Sequence, residues 1–198
     1  MATLTMQHQS TYDVHDPPDL DLFRQLAEDE TTAQAALTLL YRRYSQRIYT
    51  YCRKITGDNT IAQDLLQEAF VKLYDSGKRA RHVENLPAYL MTIARNLCLS
   101  HKSQSKRQYV EFEDFHVTVR DVPYEQKELL GLIQTALELL PEDYREAFVL
   151  REYNGLSYEE IASVIGQSID LVKVRIFRAK KRLREILAPY LADIHNKA

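Results

Sequence analysis

The stretch from Ser157 to Ile186 limits the fold more than any other part of the chain. Ser157-Tyr158-Glu159-Glu160 spells a capping box: the serine oxygen accepts from the third helical amide and the glutamate reaches back to the serine amide, so a helix starts there. Ile161, Ala162 and Ile165 give that helix an apolar face, and Gly166 supplies the left-handed turn that lets a second helix cross it closely. Ala162, Gly166 and Val172 stand at the offsets of a DNA-binding helix-turn-helix, where a small residue, a turn glycine and a buried branched residue meet. Ser168 is placed to cap the second helix, whose inner side is Val172, Ile176, Ala179, Leu183 and Ile186. Its outer side is then Asp170, Lys173, Val174, Phe177, Arg178 and Lys181, with two large apolar residues among cations. A major groove accounts for that mixture, cations taking phosphates or purine acceptors while Val174 and Phe177 touch thymine methyls. The competing reading packs Phe177 against the preceding helix.

Upstream, Leu37, Leu40, Tyr41, Tyr44, Ile48, Tyr51, Cys52 and Ile55 recur at three- and four-residue steps, predicting a long helix ending at Gly57. A second helix is expected from about Asn59, with Leu65, Leu66, Ala69, Phe70 and Leu73 inside, and a third from Asn85 and Pro87 through Leu97 and Cys98. With five glycines and no alternating apolar pattern, the expectation is an all-α chain of two small helical domains joined by an acidic linker. The boundaries read as a mobile acidic leader over 1–22, a basic helical domain over 23–108, a linker over 109–127 and the helix-turn-helix domain over 128–198.

Charge follows the same division. The net charge of −2 separates into −6 for 1–30, +8 for 31–108, −7 for 109–143 and +3 for 144–198. Two basic blocks set off by acidic segments fit two polyanion-binding modules, since phosphate neutralisation dominates affinity for nucleic acid. Solvated helical surfaces would give the same segregation. Cys52 and Cys98 sit singly in apolar helical patterns, which favours buried thiols over a disulfide or zinc site. No apolar run is long enough to span a bilayer, and a cytoplasmic protein is expected.

From about 31 to 190 the sequence resembles the sigma-70 superfamily, in particular its extracytoplasmic-function group. The C-terminal half resembles sigma region 4 through Leu140-Pro141, Tyr144-Arg145, Phe148-Val149-Leu150-Arg151, Gly155 to Ala162, Val172-Lys173 and Arg175-Ile176-Phe177-Arg178-Ala179-Lys180. The N-terminal half resembles region 2 through Asp64-Leu65-Leu66-Gln67-Glu68-Ala69-Phe70 and Ala88-Tyr89-Leu90 leading to Ile93-Ala94-Arg95-Asn96-Leu97. The resemblance implies that 31–108 binds the clamp of core RNA polymerase and the promoter −10 element, while 144–190 reads the −35 element and contacts the flap. It places Asp64, Gln67 and Glu68 against the clamp. It assigns Lys78, Arg79, Arg81, Asn85, Arg95 and Asn96 to the opened non-template strand, where flipped bases need donors and basic surroundings. Lys173, Val174, Arg175, Phe177, Arg178 and Lys181 fall to the −35 element. A solvated helix face is the bland alternative for Arg95 and Asn96. The linker would thread towards the polymerase channel as a mimic of nucleic acid, or serve as a spacer.

The match breaks at the start of the clamp helix, where the family pattern Asp-Ala-Glu-Asp reads Ile61-Ala62-Gln63-Asp64. Two carboxylates are missing, although exposed ion pairs are each worth roughly a kcal/mol or less. Thr60 precedes the gap at a helix N-terminus, where phosphate would add negative charge that the helix dipole favours. Activation by a Ser/Thr kinase at Thr60, with Thr56 as the second choice, is one expectation; inhibition by an anti-sigma factor is the other. A DNA-binding regulator of the response type shares the helix-turn-helix but would carry a receiver or sensor domain in place of 31–108. No enzyme motif, cofactor loop or metal-spaced ligand set is present in the sequence, and no cofactor is expected.

Overall fold

The computed structural model describes residues 17–108 and 124–195, with the helical backbone alone for 105–108, 124–130 and 191–195. The described residues form eight α-helices and no strand. The order is α1 (Asp19–Gln25), α2 (Glu30–Thr56), α3 (Asn59–Lys78), α4 (Leu86–Gln108), α5 (Tyr124–Glu138), α6 (Glu142–Glu152), α7 (Tyr158–Ile165) and α8 (Ile169–His195).

Local signals start and stop these helices. Asp29 caps α2 by accepting from the Thr31 and Thr32 amides at 3.0 and 3.2 Å, and Gly57 ends it in the left-handed region at φ 80°. Asp58 caps α3 through the Ile61 amide at 2.9 Å, and Asn85 caps α4 through the Ala88 amide at 2.9 Å. The helices α2, α3 and α4 bury Leu40, Ile48, Tyr51, Leu66, Phe70, Leu73, Leu90 and Ala94 between them. Cys52 and Cys98 are buried free thiols.

Two boundaries differ from expectation. The acidic leader anticipated over 1–22 includes the first four residues of α1, whose Leu22 and Phe23 are buried. The aspartates that suggested a mobile segment are partly paired: the Asp19 carboxylate accepts from Arg43 and from the Tyr44 hydroxyl. Leu26, just past α1, is buried against Gly77 of α3, and a methyl group there would lie 2.5 Å from Leu26 Cβ. The second difference is α5, which begins at Tyr124 inside the anticipated linker. The remainder of that linker, 109–123, with Glu111, Glu113, Asp114 and Asp121, lies outside the described residues.

The C-terminal helices pack as two neighbourhoods. Ala136, Leu137 and Leu140 meet Ala179 and Leu183 of α8 in one cluster. Leu150, Leu156, Ile161, Ile165, Val172 and Ile176 belong instead to the apolar cluster that fills the N-terminal unit. The two helical units are therefore packed directly on each other, chiefly α4 on α7 and α2 on α6.

Candidate nucleic-acid interface

The helix-turn-helix forms as its local sequence dictates. Ser157 Oγ accepts from the Glu160 amide at 3.1 Å, the Glu160 carboxylate accepts from the Ser157 amide at 2.8 Å, and Gly166 ends α7 at φ 66°. Ser168 Oγ accepts from the Leu171 amide at 3.3 Å to start α8. Val172, Ile176, Ala179 and Leu183 are buried, which leaves Lys173, Val174, Phe177, Arg178 and Lys181 on the open side. Phe177 is 67% exposed and so does not pack against α7. Ile169 and Leu171, not singled out from the sequence, extend the exposed apolar strip to the start of α8.

Not every residue of that set is free. Arg175 lies three residues beyond Val172, on the border of the buried side, and donates to Asp143 of α6 at 2.5 Å. Arg178 donates to the Tyr144 hydroxyl at 3.1 Å, and Lys173 sits 3.6 Å from Asp170. These exposed contacts are individually weak.

On the N-terminal unit, Arg79 and Arg81 are exposed in the loop after α3, and Ala80 between them adopts a left-handed φ of 49°. Lys78 closes α3, reaching the Glu28 carbonyl at 3.2 Å and lying over the Tyr74 ring. Beside the loop, Leu20, Phe23 and Arg24 of α1 with Arg81, His82 and Val83 line a cavity of 270 Å³. Asn96 is exposed on α4. Asn85 and Arg95 point elsewhere: Asn85 Nδ2 donates to Glu160 at 2.9 Å, and Arg95 donates through Nε and Nη2 to Glu146 at 2.9 and 3.3 Å. Of the six residues assigned to one strand, Arg79, Arg81 and Asn96 are thus open, Lys78 is exposed but folds back on its own unit, and two are engaged by the C-terminal unit. The sequence carried one sign of this, since Glu146 precedes the buried Val149 and Leu150 by three and four residues and so lies on an apolar face.

A third surface is the outer side of α3. Thr60, Asp64, Gln67 and Glu68 are exposed along one stripe, continued by Val71, while Leu65, Leu66, Ala69 and Phe70 face inward. Alongside runs a groove of 460 Å³ lined by Tyr41, Tyr49, Gln46, Gln63 and Gln67 among others. Thr60 is open, two residues past the Asp58 cap. Thr56 is half-buried and its hydroxyl donates to the Cys52 carbonyl at 2.8 Å, which makes it the poorer acceptor of a modification.

Comparison with known proteins agrees with this layout. Residues 40–108 match the family model for sigma-70 region 2, and residues 130–183 match that for sigma-70, region 4. The chain is 31% identical over 185 residues to the ECF RNA polymerase sigma factor SigE of Mycolicibacterium smegmatis, covering 86% of this chain and 70% of the relative. It is 30% identical over 172 residues to the RNA polymerase sigma-H factor of Pseudomonas aeruginosa, covering 80% and 89%. Among solved structures it is similar to the sigma factor RpoE in its co-crystal with the anti-sigma factor NepR from Bartonella quintana, with a TM-score of 0.68, 27% identity and coverage of 76% and 96%. CnrH in complex with the cytosolic domain of CnrY shares the fold, with a TM-score of 0.66 at 24% identity over 86% and 97% of the two chains.

Proposed function

This chain belongs to the extracytoplasmic-function group of the sigma-70 family, as an RNA polymerase sigma factor and not an enzyme, and from that premise we propose how its surfaces divide the work of initiation. The unit α1–α4 binds the polymerase clamp through Asp64, Gln67 and Glu68 and holds the opened −10 strand through Lys78, Arg79, Arg81, Asn85, Arg95 and Asn96. The unit α5–α8 reads the −35 element with Lys173, Val174, Phe177, Arg178 and Lys181, and contacts the flap. Arg175 supports α8 through Asp143 more than it reaches DNA. The observation that carries this reading is the exposed Phe177 and Val174 among cations on the second helix of a well-formed helix-turn-helix. The protein acts in the cytoplasm; among the described residues no helix is long and apolar enough to cross a membrane. Run-off transcription from a pooled genomic library with core polymerase tests the assignment. The reaction is run with and without phosphorylated protein; promoter-dependent transcripts are expected in at least one of the two, and their absence from both would leave only a DNA-binding module.

Clamp binding is weak until Thr60 is phosphorylated by a Ser/Thr kinase. Three features favour that site: Thr60 is exposed, it lies in the first turn of α3, and Arg53 donates to Asn59 next to it at 2.5 Å. Thr56, the second choice, lacks an open hydroxyl. Pull-down of core polymerase by wild type, Thr60→Ala and Thr60→Glu decides: tighter binding by Thr60→Glu is expected, and equal binding by all three removes the switch. Control by an anti-sigma factor is the second reading, favoured by the likeness to RpoE, whose structure was solved with an anti-sigma factor bound.

A further inference from the structure

Helix α8 turns one line of side chains directly away from the protein. Val174 lies two residues from each of the buried Val172 and Ile176, which at 3.6 residues per turn puts it about 160° from both. Asp170 and Lys181 stand four residues before it and seven after, within about 40° of the same line. Phe177 and Arg178 flank the line on either side, and Lys173 lies further round. Val174 is 41% exposed and Phe177 67%, and neither belongs to an apolar cluster of the described residues. The cations beside them are drawn sideways: Arg178 donates to the Tyr144 hydroxyl at 3.1 Å, Arg175 to Asp143 at 2.5 Å, and Lys173 sits 3.6 Å from Asp170.

This arrangement sorts the residues by depth. A helix docked in a major groove carries the line opposite its buried side to the groove floor, where base edges lie, and turns its flanks to the phosphate walls. The N-terminal part of the second helix goes deepest, so Asp170 and Val174 face bases, while Lys181 is placed for the backbone. Val174 offers only apolar contact, and the one apolar group on the groove floor is the thymine C5 methyl. Asp170 as a carboxylate can only accept, and the donors there are the exocyclic amino groups of cytosine and adenine. Guanine presents N7 and O6, both acceptors, and gains nothing from either residue. Asp170 and Val174 are about 6 Å apart along the helix, or about two base steps. The family resemblance runs through Val172-Lys173 and Arg175 to Lys180 and passes over both. We propose that Val174 sets the specificity of the −35 contact by seating on a thymine methyl, with Asp170 accepting from a cytosine or adenine amino group within about two base pairs of it. This rests on the −35 assignment above and adds to it the identity of the bases.

In the test, holoenzyme of the full chain, phosphorylated and unphosphorylated, selects duplexes from a pool randomised at the −35 position. Each thymine of the selected sequence is then replaced in turn by deoxyuridine, which lacks only the methyl. Fluorescence anisotropy should show a position where that loss weakens wild-type binding about fourfold, the worth of one buried methyl. At the same position 5-methylcytosine should bind better than cytosine by a similar factor. Val174→Ser, a substitution at an exposed site, should bind thymine and deoxyuridine there alike. Asp170→Asn should move the neighbouring preference towards adenine, since an amide can donate to N7 while accepting from N6. Indifference of the wild type to the methyl at every position, or equal sensitivity of wild type and Val174→Ser at every sensitive one, overturns the role of Val174. An unchanged neighbouring preference in Asp170→Asn overturns that of Asp170. If neither form of the holoenzyme selects any sequence, the −35 assignment fails and this inference with it; selection without methyl sensitivity leaves the assignment standing and removes the inference alone.

Discussion

The hydroxyl of Tyr51, on a side chain with no exposed surface, donates to the Glu146 carboxylate at 3.0 Å, joining α2 to α6. Tyr51→Phe keeps the ring but leaves a buried carboxylate short of one donor. Urea unfolding should show a loss of about 1–3 kcal/mol, the cost of a buried hydrogen bond to a charged group.

The same contact predicts an alkaline limb. Burial, then the charge of Glu146, pushes the Tyr51 phenol well above its ordinary 10.0. A group whose pKa is raised on folding contributes stability that is full below its unfolded pKa and is lost as pH rises through the folded value. Melting temperature should hold up to about pH 10 and fall beyond it. The wild-type excess over Tyr51→Phe should shrink across that fall.

At Glu160 the sign is opposite. Burial pushes its carboxyl up, but hydrogen bonds from the Ser157 amide, from Asn85 and from the Ser157 side chain outweigh it and hold the pKa below the ordinary 4.5. Its contribution is present above the ordinary value and is lost as pH falls through the lowered one. Glu160→Gln should therefore flatten the acid limb of the stability profile below about pH 5. At neutral pH, Ser157→Ala should cost about 1 kcal/mol for the lost cap.

Gly77→Ala should destabilise by about 1–3 kcal/mol, because the new methyl would meet Leu26 at 2.5 Å and push α1 off α3. Combining it with Leu26→Ala should give less than the sum of the two single losses, read from denaturation of all four proteins. Gly166→Ala is a different case: nothing lies within 4 Å of its added methyl, and the left-handed φ of 66° alone should cost about 1 kcal/mol.

Phe177→Ala should change stability by less than about 0.5 kcal/mol, since its ring is exposed. It should weaken binding of the holoenzyme to −35 duplex, measured by fluorescence anisotropy. Lys181→Gln should instead lower the slope of log affinity against log salt by about one, as loss of a phosphate contact does.

The helices of this protein and its helix-turn-helix were legible from sequence because their codes are local. The capping box needs Ser157 and Glu160 three residues apart, the turn needs only Gly166 in a left-handed conformation, and the buried side of α8 repeats every three or four residues. The inner side of α3 followed from the same periodicity, while Asp64, Gln67 and Glu68 on its outer side were picked out by the family resemblance. What required tertiary structure was every feature whose partners are distant in the chain. The acidic start of α1 reads as a leader until Asp19 meets Arg43, and Arg175 reads as an unpaired cation until Asp143 of α6 comes beside it. Arg95 and Asn85 read as open donors until Glu146 and Glu160 arrive from the other unit. Helical periodicity tells which side of a helix is wet or dry; it does not tell which other helix covers the dry side. That depends on which apolar surfaces and buried charges complement one another once the chain has folded, and here it decided that the two helical units face each other.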